Sequence, residues 1–236
     1  MKKIAGLICG LAMMEAAQAD VVTYEFTATI TTMKLDYTVV TESSLPGKTI
    51  SVGEAVRGRL TYNTQTPLHS QWIGEPGEPG TARNYAARGM KNTMSFVFET
   101  HGFSFDSAPS TSKDDQMDIT VRNDTDAPMG APGPYDQLNI EAYSVNSYGR
   151  NFGSLSMNDY TGSLLVHGDI PHRLPDINSK YILQEFEYNL DHNGVWLSAR
   201  GALTSLTLVS SVPEPSTYAM FMAGLACLAW RRRTRR

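Results

Sequence analysis

Carboxylates dominate the residues able to do chemistry in this chain. Asp114, Asp115 and Asp118 fall within five positions, and Asn123, Asp124 and Asp126 within four. Clustered oxygen ligands on loops suit calcium, a hard cation that takes several of them. No full calcium-loop motif is present, Asp191-His192-Asn193-Gly194 lacks the rest of an EF-hand, and solvated turns explain the same residues. His167 and His172 bracket Asp169 in His-Gly-Asp-Ile-Pro-His, a turn-like segment that could share a zinc ion. Structural zinc sites use denser His/Cys spacing, however, and no HExxH pattern occurs, so surface histidines are the simpler reading.

Hydrolysis would need a carboxylate pair or a Ser-His-Asp set assembled by the fold. Glu141, Asp159, Glu185 and Glu187 are available, but no G-x-S-x-G nucleophile turn is present. Glu185 and Glu187 share one strand face, with Phe186 and Tyr188 on the other; a solvent-facing side explains the pair. No catalytic set emerges. Trp72, Tyr85, Tyr135, Tyr148 and Tyr160 sit in or near expected loops. Their rings could stack on sugars, or they could anchor their loops to the core.

The elements that must position these residues are strands. Val22, Tyr24, Phe26, Ala28 and Ile30 alternate with polar residues, the period-two pattern of a strand with one buried face. Val56 to Tyr62 repeats it, as do Phe96 with Phe98, and Phe103 with Phe105. Further strands are expected at Met117–Val121, Leu138–Val145, Ser163–Val166, Tyr181–Tyr188, Val195–Ala199 and Ala202–Val209, with an Asn193-Gly194 hairpin turn. With no helix of a dozen residues in view, the fold class is all-β. An antiparallel β-sandwich, jelly-roll-like in topology, is the expectation. Thr64 to Met90 and Asp124 to Tyr135, rich in Pro and Gly, read as long loops.

Both ends have a different character. Lys2 and Lys3 precede an apolar run from Ile4 to Met14, and Ala17-Gln18-Ala19 offers the small residues a signal peptidase accepts, with cleavage before Asp20. At the other end, Thr217 to Trp230 forms an apolar run before Arg231, Arg232, Arg233, Arg235 and Arg236. As a helix its 14 residues span roughly 21 Å, short of a hydrocarbon core of about 30 Å. Trp230 and the arginines can hold such a helix at the interface, with the arginines cytoplasmic and Val212 and everything before it outside. Cys9 and Cys227 both lie in these apolar ends. The segment between them therefore has no disulfide, cysteine nucleophile or thiolate metal site.

Pro213-Glu214-Pro215 immediately precedes the apolar run. Val212, Pro213, Glu214, Pro215 and Ser216, then Tyr218 to Trp230 with Gly224-Leu225, then the arginine cluster, together resemble the PEP-CTERM sorting signal. The resemblance implies processing by an exosortase, a polytopic membrane protease. It also implies a Gram-negative bacterium that makes exopolysaccharide and places such proteins at or beyond its surface. A plain stop-transfer anchor would share the helix and the arginines but not the triplet. Gly53 to Asn63 is similar to an early strand of such exported proteins, G-x-x-V-x-G-x-x-T-Y-[DN], and Gly201 to Leu206 to their late strand. Domains of that kind mostly lack an assigned activity.

The reading is a signal peptide at 1–19, an exported β-domain at 20–211 and a sorting signal at 212–236. The middle part holds 13 of the 20 Lys and Arg and 22 of the 24 Asp and Glu, a net charge of about −9. That charge argues against nucleic acid or anionic lipid as a partner. Expected partners are signal peptidase, exosortase and the membrane before processing, with exopolysaccharide as a ligand and a structural or adhesive role in a biofilm matrix. A secreted polysaccharide hydrolase and a calcium-dependent carbohydrate-binding module are the alternatives.

Overall fold

The computed structural model describes residues 21–73, 80–86, 90, 92–107, 117–126, 134–165, 168–177 and 182–212. The expected signal peptide, Asp20, Asp114, Asp115, His167 and everything from Pro213 to Arg236 lie outside these residues. Every regular element among the described residues is a strand, and none of their segments is a helix able to cross a membrane. In chain order the strands are β1 (Val21–Leu35), β2 (Thr38–Val40), β3 (Glu42–Ser43), β4 (Ile50–Ser51), β5 (Ala55–Asn63), β6 (Leu68–Ile73) and β7 (Thr81–Ala86). They continue as β8 (Thr93–Phe98), β9 (Ser104–Asp106), β10 (Met117–Asp126), β11 (Pro134–Asn146), β12 (Gly149–Asp159), β13 (Ile182–His192) and β14 (Val195–Val212).

Twelve of them make one antiparallel sheet in the order β6-β7-β10-β11-β12-β13-β14-β1-β5-β8-β9, with β2 paired to β1; β3 and β4 form a small hairpin. This order forces the sheet to curl. Eight strand spacings separate β5 from β6, about 38 Å in a flat sheet. Yet the chain joins Asn63 to Leu68 in five peptide steps, which reach at most about 18 Å. The return from Ala86 to Thr93 makes the same demand. The two ends of the sheet must therefore face each other, and the expected pair of sheets is one continuous half-barrel.

The alternating residues meet in the space this curl encloses. Phe96 of β8 packs edge-on against Phe186 of β13 with ring centroids 4.9 Å apart, and Phe26 of β1 lies 6.0 Å from Phe186. Phe26, Phe98, Phe186, Tyr62 and Tyr188 are all essentially inaccessible. Each such side chain contributes about 1.5–3 kcal/mol by leaving water.

Of the long connection at residues 160–181, the described parts, 160–165 and 168–177, lie over the open side and bury Leu165, Ile170 and Leu174. Three tyrosines from three strands hold it. Tyr85 donates to the Gly168 carbonyl (2.7 Å), Tyr62 donates to the Pro171 carbonyl (3.0 Å), and Tyr24 accepts the Leu174 amide (2.8 Å).

Most expected strands are present, several of them longer. Asn193 and Gly194 both have positive φ, as the hairpin reading requires. Three expectations are corrected, and one strand was not expected at all. The expected strand Ser163–Val166, whose last residue lies outside the described ones, is not a strand over 163–165, because the Ser163 amide bonds to Asp159 and the Leu165 amide to Asp136 instead of a neighbouring strand. Val195–Ala199 and Ala202–Val209 are one strand, β14, which absorbs irregularities in its register with β1. The stretch from Thr64 to Met90 contains the hairpin β6–β7. Gly149–Asp159, which has little strand propensity and where no strand was expected, forms the interior strand β12.

The first and last described strands pair along their length, with Val21 opposite Val212. The chain therefore enters and leaves the sheet side by side, at one pole, immediately before Pro213.

Candidate functional site

Strand register places a polar field on the outward face of β10 to β14. Directly opposed residues share a face of a sheet. One row reads Asp118, Glu141, Ser154, Glu187, Arg200; the next reads Thr120, Asn139, Ser156, Glu185, Ala202. A third holds Arg122, Gln137, Asn158 and Leu183. On the other side of the first row lie Tyr143, Phe152, Asn189 and Ser198.

The field is not flat. β12 contributes Ser154 and Ser156 between the taller side chains of β11 and β13, which leaves a groove of about 230 Å³ along it. The walls shield the floor so well that Ser154 and Asn158, on the outward face, are only 5% and 6% exposed. Hydrogen bonds fix the walls: Asn139 and Tyr143 donate to Glu141, Gln137 and Tyr135 donate to Asn158, and Ser198 and Arg200 donate to Glu187. Burial, then the hydrogen bond to Glu141 and its charge, push the Tyr143 phenol well above its ordinary value, so it stays a donor.

Aromatic rings stand at both ends. Tyr135 packs on Tyr160 (5.3 Å) at one end. At the other, Phe152 lies between Tyr143 (5.6 Å) and Trp196 (5.8 Å), with the Arg150 guanidinium over Tyr143.

On the inward side of the same strands, Asp136 and Asp159 oppose each other with no exposure. Asp136 accepts the amides of Asp124 and Leu165. Asp159 accepts the amides and hydroxyls of both Thr161 and Ser163. Burial raises the Asp136 pKa, its two amide bonds oppose that, and the charges of Asp124 and Asp159 add to it. Burial disfavours the Asp159 charge too, but its four hydrogen bonds outweigh this and hold it below the usual carboxylate value. The pair fixes the start of the 160–181 connection.

The other sequence candidates are scattered. Asp118 lies in the outward field, whereas Asp124 sits at a register shift of β10 with positive φ and accepts from Asn123. Asp126 ends β10 opposite Pro134. Among the described residues no three His, Cys, Asp or Glu side chains converge as a metal site would require. Asp169 pairs with Arg83 at 2.6 Å, and His172 is exposed. Of the aromatics, Tyr85 and Tyr135 are buried anchors, while Trp72, Tyr148 and Tyr160 are 48%, 42% and 42% exposed. Of these only Tyr135 lines the groove, with Tyr160 packed on it. The residues that sequence reasoning missed are Tyr143, Phe152 and Trp196, together with the serine floor. For Phe152 and the serines the one signal was alternation in Gly149 to Asp159, whose glycines and serines mask a strand, while Tyr143 and Trp196 lie in strands that were expected.

The segment from Gly53 to Asn63 proves to be a packing device. Gly53 has a positive φ, and a Cβ on Gly58 would lie 2.2 Å from the Phe26 ring. Val56 is fully buried, Thr61 bonds to Thr23, Tyr62 holds the 160–181 connection, and Asn63 accepts the Gln65 amide to turn the chain.

Beyond Val212 the chain meets its second motif. Residues 211–233 match the family model described as the PEP-CTERM protein-sorting motif. The chain carries this sorting signal. The PEP-CTERM match begins within the last two residues of β14, so no spacer separates the central sheet from the Pro-Glu-Pro triplet. No curated protein and no solved structure matches the chain. The PEP-CTERM motif implies an exported protein anchored through its C-terminus and processed by an exosortase. The triplet, Ser216, the Thr217 to Trp230 run with Tyr218, Gly224 and Leu225, and the arginines lie outside the described residues.

Proposed function

We propose that this protein is an exosortase-sorted component of the cell surface or extracellular matrix, with a structural or adhesive role alongside exopolysaccharide. The match at residues 211–233 carries the reading. Two further observations support it. Val21 and Val212 are register neighbours, so a leader before Asp20 and an anchor after Pro213 would leave the domain from one pole and enter one membrane together. The acidic middle segment suits a solvated place outside the inner membrane rather than binding to anionic lipid.

In this reading Pro213 and Pro215 keep the triplet extended, the form in which proteases bind chains, and Glu214 supplies the one charge a basic pocket recognises. The apolar run and Arg231 to Arg236 then hold and orient the precursor until cleavage. The test is Glu214→Ala in the producing strain. The full-length precursor should accumulate in membranes, whereas processing at the normal rate would remove the triplet from the mechanism.

A further inference from the structure

The outward groove has the chemistry of a sugar-chain site, and we propose that it binds a linear, uncharged polysaccharide. This deepens the matrix reading above and rests on it only for access to such a polymer. Shape comes first. From Ser154 to Asn158 the floor runs four residues along β12, about 13 Å, and the walls of β11 and β13 stand two strand spacings apart, about 10 Å. That is a slot for several rings of a chain rather than for a single small molecule.

Its polar groups match hydroxyls. Vicinal hydroxyls each donate and accept, and planar amides and carboxylates can answer both at once. Asn139 and Gln137 are held by one amide hydrogen each, which leaves their carbonyl oxygens with no hydrogen bond among the described residues. The Glu185 carboxylate has none either, and Arg200 uses only Nε, on Glu187. A surface built only for solvation has no need of a recessed serine floor between such walls. Side chains whose geometry is already fixed lose less freedom on binding.

Aromatic rings complete the match. Trp196 and Tyr160 are 38% and 42% exposed at opposite ends of the field, and each is braced by a second ring. A braced ring offers its face to the C–H side of a sugar at little entropic cost.

Charge sets the class of glycan. Of the residues lining the groove, Glu141, Glu185 and Glu187 are acidic and Arg200 is basic, with Arg122 and Arg150 at the margins of the field. A polyuronate or sulfated polymer would place anions beside these carboxylates, so an uncharged chain is selected.

The test is affinity electrophoresis of the full chain in neutral detergent, in gels holding hydroxyethylcellulose, dextran, the neutral polysaccharide of the producing strain, or polygalacturonate. At least one neutral polymer should retard the protein, and polygalacturonate should not. Ser156→Tyr fills the floor and should weaken retardation about tenfold or more, the effect of losing roughly 1.4 kcal/mol of binding. Thr207→Tyr, on an exposed part of β14 away from the groove, should leave it unchanged. If Ser156→Tyr lowers the melting temperature, the double variant Asn139→Ala with Glu185→Ala trims the walls without adding bulk and gives the same readout. Absence of retardation in every neutral gel overturns the proposal. So does equal retardation by polygalacturonate, or unchanged retardation in both groove variants. None of these results depends on exosortase, so the groove and the sorting signal stand or fall separately.

Discussion

Replacing Asp159 with alanine tests whether a buried carboxylate, rather than strand pairing, organises the connection over the open side of the half-barrel. Asp159 has no exposure and accepts four hydrogen bonds of 2.7–2.9 Å, from the amides and hydroxyls of Thr161 and Ser163. Bonds to a charged acceptor contribute about 1.5–3 kcal/mol each. Thr161 and Ser163 are exposed, so their hydroxyls regain water in the variant, and the lasting loss is that of the two amides. The expected cost is about 3–5 kcal/mol at pH 7. At roughly 2–4 °C per kcal/mol for a chain of this size, the melting temperature should fall roughly 6–20 °C, followed by far-ultraviolet circular dichroism.

The pH dependence gives an independent check. In the folded chain Asp159 titrates below its ordinary value, so the folded state holds this proton less tightly than the unfolded state does. Its stabilisation is complete above the usual carboxylate pKa, near 3.8, and is lost as pH falls through the lowered folded value. Measured in an Asp136→Asn background, which removes the coupled carboxylate, the gap between Asp159 and Asp159→Ala should therefore be constant from neutral pH to about 5 and shrink on further acidification. A gap under about 1 kcal/mol at pH 7, or one unchanged at pH 3, refutes the reasoning.

Asp136 carries the opposite sign. Its folded pKa is raised, chiefly by burial, so its ionisation counts against the fold above that value and protonation relieves it as pH falls. In an Asp159→Ala background, which removes one of the charges that raise it, a smaller gain in stability should remain as pH falls through the raised folded value towards 3.8, read as melting temperature against pH. Tyr62→Phe leaves the Pro171 carbonyl without its donor and should cost about 1–3 kcal/mol, with proteolytic nicking appearing first in residues 168–177. Gly58→Val drives a side chain into Phe26, and a melting temperature within about 2 °C of the parent would show that the close approach is not real.

What was legible in the sequence followed the physics of alternation. Val22 to Ile30 and Val56 to Tyr62 place one face in apolar surroundings and the other in water, and both are strands in the structure. Asn193-Gly194 fixed its hairpin through the positive φ that its turn demands. β12 was missed because Gly153, Ser154 and Ser156 carry no strand propensity, and those small residues are what make the groove. The floor is thus hidden from sequence for the same reason that it exists. Ser163 to Leu165 looked like a strand because short apolar runs do not reveal whether their amides will meet a strand or a buried carboxylate. Curl was out of reach because it follows from strand order, which brings Asn63 and Leu68 to opposite ends of one sheet five steps apart. Register likewise decides which outward residues become neighbours, so Glu141 and Glu187, far apart in the chain, share a row with Ser154. The sorting signal needed none of this, since its three parts are contiguous.

The central claim is that the C-terminal segment is an address removed on delivery. Intact mass of the protein from culture medium and from membranes, in the producing strain with and without its exosortase, tests it most directly. The account predicts a released form that begins at Asp20 and lacks Thr217 to Arg236 only when the exosortase is present. A membrane form that keeps Arg231 to Arg236 in both strains would make the segment an ordinary anchor and contradict the account.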